Sequence, residues 1–188
     1  MEVTIGVSNR HVHLCEHDLK VLFGDDFNLE VKKELVQPGE FASNSLVTIK
    51  TSKSEINNVR VLGPLRSYSQ VEVSLTDAFK LGIKPPVRDS GDLEGSEAIT
   101  LIGPKGSVEL SEGCIIATRH IHMTPSDRHN MGLDDVSTVS VKLNGEKGGI
   151  LDNVHLKVSE NYKLEFHIDT DDANAHMVKS GDSALIIK

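Results

Sequence analysis

The chain has 188 residues, enough for one large domain or two small ones, with a formal net charge of −8 and a pI near 5.5. That charge excludes a general nucleic-acid binder, which needs a basic face, and no apolar run approaches the roughly 20 residues that span a bilayer. Trp is absent and aromatics are 4% of the chain, so the core must be built from Val, Ile and Leu, a composition that suits strands.

In chain order, period-2 alternation marks candidate strands at 3–8, 28–36, 45–51, 58–63, 70–76, 98–103, 107–110, 114–123, 137–143, 154–159, 163–168 and 183–188. "GPKG" at 103–106 and "NGEKGG" at 144–149 read as hairpin loops. Short helices are expected at 16–24, closed by Gly24, at 124–132, with Thr124 as N-cap, Pro125 at N1 and Gly132 at the end, and at 169–181. The segment 85–97, rich in Pro, Gly and charge, reads as a loop. Many short strands at regular spacing point to a mostly β barrel or sandwich. The first ten residues, "MEVTIGVSNR", lack the charged-then-apolar signal pattern. Cys15 and Cys114 make no disulfide framework, so a reducing, cytosolic compartment is expected.

One motif is written twice. "SNRHVHL" at 8–14 returns as "ATRHIHM" at 117–123, and each copy precedes a short helix. A second match follows each: "VEVSLTDA" at 71–78 aligns with "FHIDTDDA" at 166–173, which sets Glu72 opposite His167. The first half therefore carries His11, His13 and Glu72, and the second carries His120, His122 and His167. Residues i and i+2 of a strand face one side, about 6.6 Å apart. Two imidazoles so placed can converge on a metal at about 2.0–2.1 Å, and a third ligand from a neighbouring strand leaves one position open, as catalytic sites do. Such ligands favour Zn²⁺. A solvent-facing pair of strand histidines is the plain alternative; the duplication with its flanking arginine favours metal binding. His17, His129, His155 and His176 show no partner pattern and read as surface residues. Cys15 falls where the second half has Thr124, so it reads as a poor cap, and Cys114 reads as a packed strand residue. Arg66 has Asn161 as its counterpart, which makes it an asymmetric feature of a duplicated plan. Its planar fork suits phosphate or carboxylate.

"SNRHVHL", "VLGPLRSYSQVEVSLTDA", "RHIHMTPSD" and "HIDTDDANA" resemble, in the right order and over essentially the whole chain, the PduL-type phosphotransacylases, also called phosphate propanoyltransferases. The resemblance implies an enzyme that interconverts short-chain acyl-CoA (propanoyl-CoA or acetyl-CoA) plus phosphate with acyl phosphate plus CoA. It implies two β-barrels with short capping helices and an internal repeat: residues 1–9 with 116–188 in the first barrel, 10–115 in the second. It implies two zinc ions per chain at a dinuclear site on His11, His13, Glu72, His120, His122 and His167, with Arg66 binding phosphate. Ser8, Lys33, Arg60, Leu62 and Asn174 become CoA contacts, and a homodimer with no nucleic-acid or membrane partner is expected. Members sent into bacterial microcompartments, as in propanediol degradation, often carry an N-terminal extension. Here the first strand begins almost at Met1, so a cytoplasmic role is the expectation. Two other readings stay open from the residues: a dinuclear metal-dependent hydrolase, and a non-catalytic metal- or nucleotide-binding module.

Overall fold

A computed structural model describes residues 1–188. The chain is mostly β, with fourteen strands and four short helices. It divides into two compact units. Unit 1 comprises Met1–Asn9, Val36–Pro38 and Thr118–Lys188, and unit 2 comprises Arg10–Leu35 and Gly39–Ala117.

Unit 1 is a closed six-stranded barrel. It contains β1 (Glu2–Ser8), β10 (His120–Met123), β11 (Thr138–Leu143), β12 (Gly149–Val158), β13 (Glu165–Asp169) and β14 (Ser183–Ile187). The ring runs β1-β13-β10-β12-β11-β14 and closes on β1. Its interior is Val3, Ile5, Ile121, Met123, Val141, Val154, Phe166 and Ile186 with their neighbours, all buried. Two helices belong to it, α3 (Pro125–Asn130) and α4 (Thr170–His176).

Unit 2 also closes six strands: β2 (His11–His13), β4 (Phe41–Lys50), β5 (Glu55–Gly63), β6 (Gln70–Glu72), β8 (Glu97–Ile102) and β9 (Ser107–Ala117). β2 lies between β5 and β6, β6 pairs with β9, β9 with β8, and β8 with β4, which returns to β5. The short β3 (Val31–Glu34) flanks β4, and β7 (Val87–Arg88) lies along β9. The interior holds Val12, Leu14, Val47, Ile49, Val61, Val71 and Leu101, with Leu19 and Leu22 of α1 (Glu16–Phe23) and Ala78 and Leu81 of α2 (Leu75–Leu81).

The two rings match strand for strand. Each His-x-His strand has one parallel neighbour, β5 or β12, and one antiparallel neighbour, β6 or β13. Each β4–β5 or β11–β12 ladder carries a bulge with an asparagine at positive φ, Asn58 in one and Asn153 in the other. Asn tolerates that backbone better than most residues and lets the strand bend there. These bulges stand at the starts of the strands expected at 58 and 154; the ladders continue across them.

Several expectations need correction. The loop at 85–97 carries the two-residue β7, and the helix at 169–181 ends at His176, with Met177 in the left-handed region. The strand at 28–36 shrinks to Val31–Glu34, since all four residues are exposed and no buried face holds a longer ladder. The strand at 70–76 stops at Glu72, because the Ser74 side chain accepts from Asp77 N and starts α2 instead. The single strand at 114–123 is two: β9 ends at Ala117 in unit 2, and β10 opens at His120 in unit 1. No helix is long and apolar enough to cross a membrane.

Candidate metal centres

In unit 2, Val12 and Val71 point into the barrel core, so the alternating residues His11, His13, Gln70 and Glu72 share the opposite face. Antiparallel pairing sets His11 directly across from Glu72. Unit 1 repeats this: Ile121 and Phe166 fill the core, and His120 pairs across to His167. The third ligand in each half is thus the register partner of the first histidine, which is why the two alignments of the repeat select it.

The six residues form two groups of three, His11, His13 and Glu72, and His120, His122 and His167. Within each group one ligand atom per residue lies within 4.8 Å of the others. His11 Nε2 is 3.4 Å from Glu72 Oε2. The rings of His122 and His167 stand 4.7 Å apart and those of His120 and His167 5.0 Å. Burial, with help from His11 and Arg66, holds His13 well below the ordinary histidine range. Burial and the Lys157 charge do the same to His120. Both rings are therefore neutral near pH 7 and keep a lone pair for a cation. His120 Nδ1 faces the carbonyl of Thr118 at 2.8 Å, which leaves Nε2 as its ligand atom. His13 Nδ1 is buried without a hydrogen-bond partner, a costly state that a bound cation would relieve. The donor set suits zinc in both groups.

The flanking arginines have a mechanical role. Arg10 Nε donates to Asp77 Oδ2 at 2.7 Å, and Arg119 grips Asp172 with Nε at 2.6 Å and Nη2 at 2.8 Å. Asp77 and Asp172 lie in the first turns of α2 and α4, the helices that follow the third ligand. Each arginine thus ties the His-x-His strand to the helix beyond the neighbouring strand.

Arg66 lies in the β5–β6 connection, where its backbone N–H donates to Leu14 O at 2.9 Å. Its Nη1 donates to Ser90 Oγ at 2.9 Å, and Nη2 is 3.9 Å from Glu40 Oε1. Ser90 Oγ also accepts from Gln70 Nε2 at 2.8 Å, and the same amide nitrogen donates to Glu72 Oε1 at 2.6 Å. A hydrogen-bonded path therefore joins Arg66 to the candidate ligand Glu72. The base of the same loop is held by Ser69, whose hydroxyl donates to buried Asp18 at 2.5 Å and accepts from Cys15 N at 3.0 Å. Cys15 caps nothing with its thiol. In the other half Thr124 and Asp127 build a self-contained capping box. Ser69 thus bridges the N–H of Cys15 to the Asp18 carboxylate and pins the loop to α1.

A family model described as phosphate propanoyltransferase matches residues 4–179. A phosphate propanoyltransferase of Thermotoga maritima is 51% identical over 187 residues, 99% of this chain and 89% of the relative. Those of Lachnoclostridium phytofermentans, 48% identical over 98% of this chain and 87% of the relative, and Priestia megaterium, 50% over 98% and 85%, are similar. The chain belongs to the phosphate propanoyltransferase family. It is an enzyme of the phosphotransacylase class.

Among the residues read from that family's pattern, Arg60 and Leu62 on β5 stand in register with His11 and His13. Arg60 Nη1 donates to Ser43 O at 2.5 Å. Lys33 is exposed on β3. Ser8 closes β1 in unit 1, paired with Asp169, and Asn174 is exposed on α4. His155, read as a surface residue, is half-buried and in register with His120, outside the three-ligand group. Sequence reasoning missed Gln70 and Glu165, although each stands two residues before a third ligand on the same strand face. It also missed Ser90, Gln37 and Glu40, which lie in irregular segments without a periodic signal.

Proposed function

We propose that this chain interconverts short-chain acyl-CoA (propanoyl-CoA or acetyl-CoA) plus inorganic phosphate with acyl phosphate plus CoA. Two zinc ions serve it, one on His11, His13 and Glu72, the other on His120, His122 and His167. The reading rests above all on two preformed three-ligand groups, one wired through Gln70 and Ser90 to a fork-shaped cation. Three protein ligands leave zinc an open position and a Lewis-acid charge for oxygen or sulfur.

In the forward direction a phosphate oxygen forms a bond to the thioester carbonyl carbon, the C–S bond breaks, and CoA departs as thiolate. Phosphate is already nucleophilic at neutral pH, so no serine or cysteine nucleophile is required. Arg66 holds and orients the phosphate with two parallel N–H donors. Ser90 and Glu40 fix the guanidinium plane, and Gln70 couples it to Glu72. Catalysis then rests on positioning and preorganised charge. Lys33 and Arg60 offer cationic contacts to the phosphates of CoA, with Leu62, Ser8 and Asn174 completing the set read from the family. A homodimer in the cytoplasm is the working assembly.

The test is turnover of purified protein with its metal content measured alongside. About two zinc per chain, loss of turnover on chelation and recovery on adding zinc are expected. Full turnover after complete removal of metal would overturn the metal assignment.

A further inference from the structure

Gln70 is fully buried on β6, opposite His13 and two residues before Glu72 on the same face. Its amide oxygen accepts from the backbone N–H of Gly91 at 2.7 Å. That bond settles which end of the amide is oxygen, since the reverse orientation would set two donors against each other. The nitrogen end is then committed to two other neighbours: Nε2 donates to Glu72 Oε1 at 2.6 Å and to Ser90 Oγ at 2.8 Å. Both amide protons and the oxygen are in use, so the group has one orientation.

Each nitrogen contact acts on a different part of the site. The amide occupies Glu72 Oε1, and the oxygen that faces His11 Nε2, at 3.4 Å, is Oε2. On the other side, Ser90 Oγ also accepts from Arg66 Nη1 at 2.9 Å. One buried amide therefore sets both a carboxylate of a three-ligand group and the hydroxyl that steadies the arginine. Gly91 has φ +96°, and a Cβ there would stand 2.9 Å from the Tyr68 hydroxyl, so the N–H that orients the amide depends on glycine. Unit 1 lacks this device. Its matching position holds a carboxylate, Glu165, opposite His122 and bonded to Gln37 Nε2 at 3.1 Å.

We propose that Gln70 is a two-sided positioning residue: it holds Glu72 by Oε1, so that Oε2 alone is offered to the metal, and it holds Ser90, so that the Arg66 guanidinium keeps its plane. The inference rests on the zinc and phosphate readings above. Outer partners of this kind orient a ligand, and losing one lowers metal affinity about 10–100-fold.

The experiment is zinc titration of metal-free protein against a chromophoric chelator, with zinc per chain counted, together with KM for phosphate and for propanoyl-CoA on zinc-replete protein. The set is wild type, Gln70→Met, Ser90→Ala and Gly91→Ala. Gln70→Met keeps the length of the side chain and removes the amide. It should weaken one of two zinc sites about 10–100-fold, leave the other unchanged, and raise KM for phosphate more than KM for propanoyl-CoA. Ser90→Ala cuts only the arginine side, so it should raise KM for phosphate and leave zinc affinity as in wild type. If Gln70→Met does not fold, Gly91→Ala decides: by displacing the N–H that orients the amide it should produce the same pair of changes in smaller measure. Unchanged zinc affinity in the folded variants, equal weakening of both sites, or a weakened zinc site with KM for phosphate unchanged would overturn the proposal. Wild-type protein that binds no zinc would overturn the metal reading, and zinc-loaded wild type without phosphate-dependent turnover would overturn the transferase reading; both results are distinct from a failure of Gln70.

Discussion

Arg66 is a quarter exposed at its side chain, yet Ser90, Glu40 and Tyr68 surround its guanidinium. Arg66→Ala should lower turnover by roughly 10²–10³-fold, the size of losing one preorganised donor, with both metals retained. Arg66→Lys should recover little, because a point charge cannot replace the fork. Near-normal turnover in either variant would remove Arg66 from the mechanism. The two cysteines separate just as sharply. Cys114 is buried in β9, and burial pushes its thiol up to about 12. Cys15 is partly exposed at the start of α1. A thiol reagent on the folded protein should modify one cysteine readily and the second only on unfolding; equal rates would contradict this packing. At this scale the two groups of three were legible in the sequence because strand alternation places i and i+2 on one face. Ser90 and Gln37 were not, since their positions depend on loop paths that carry no period.

The helices show what a strand-based reading overlooks. "QVEVSLT" alternates like a strand through Thr76, but Ser74 closes a hydrogen bond to Asp77 N, and Gly82 in the left-handed region ends the helix that follows. The capping bond outweighs four more residues of alternation: Val73 N still donates to Ile115 O of β9 at 3.1 Å, and the chain turns into the helix directly after it. The duplicated arginine was visible as a pattern, but its partner was not. Asp77 and Asp172 also recur in the aligned blocks, so the paired recurrence of Arg and Asp was the signal available. The Ser69 clamp was hidden for another reason: it links residues distant in sequence around a cap that Cys15 cannot make. Ser69→Ala should cost about 1–3 kcal/mol of stability, as for a lost hydrogen bond to a buried carboxylate, and raise KM for phosphate, since the same hydroxyl pins the Arg66 loop. An unchanged KM alongside lost stability would confine Ser69 to folding.

Across the whole molecule, two rings with the same strand pairing grow from two halves of one chain, and each half sends its first strand to the ring formed by the other. β1 joins the strands from β10 to β14, and β9 joins those from β2 to β8. The internal repeat in the sequence shows the duplication but not this exchange, because "CIIATRHIHM" reads as one continuous strand. The break at 118–119 has no turn signature: β9 ends at Ala117 and β10 begins at His120. The duplication gives two ligand groups, and the asymmetric Arg66 loop distinguishes one from the other. The most direct test of this account is CoA release from propanoyl-CoA by the zinc-replete protein, with and without inorganic phosphate, and with acyl phosphate measured as product. Release that requires phosphate and matches acyl phosphate one for one is the predicted result. Release at the same rate without phosphate would make the protein a thioester hydrolase and contradict the account.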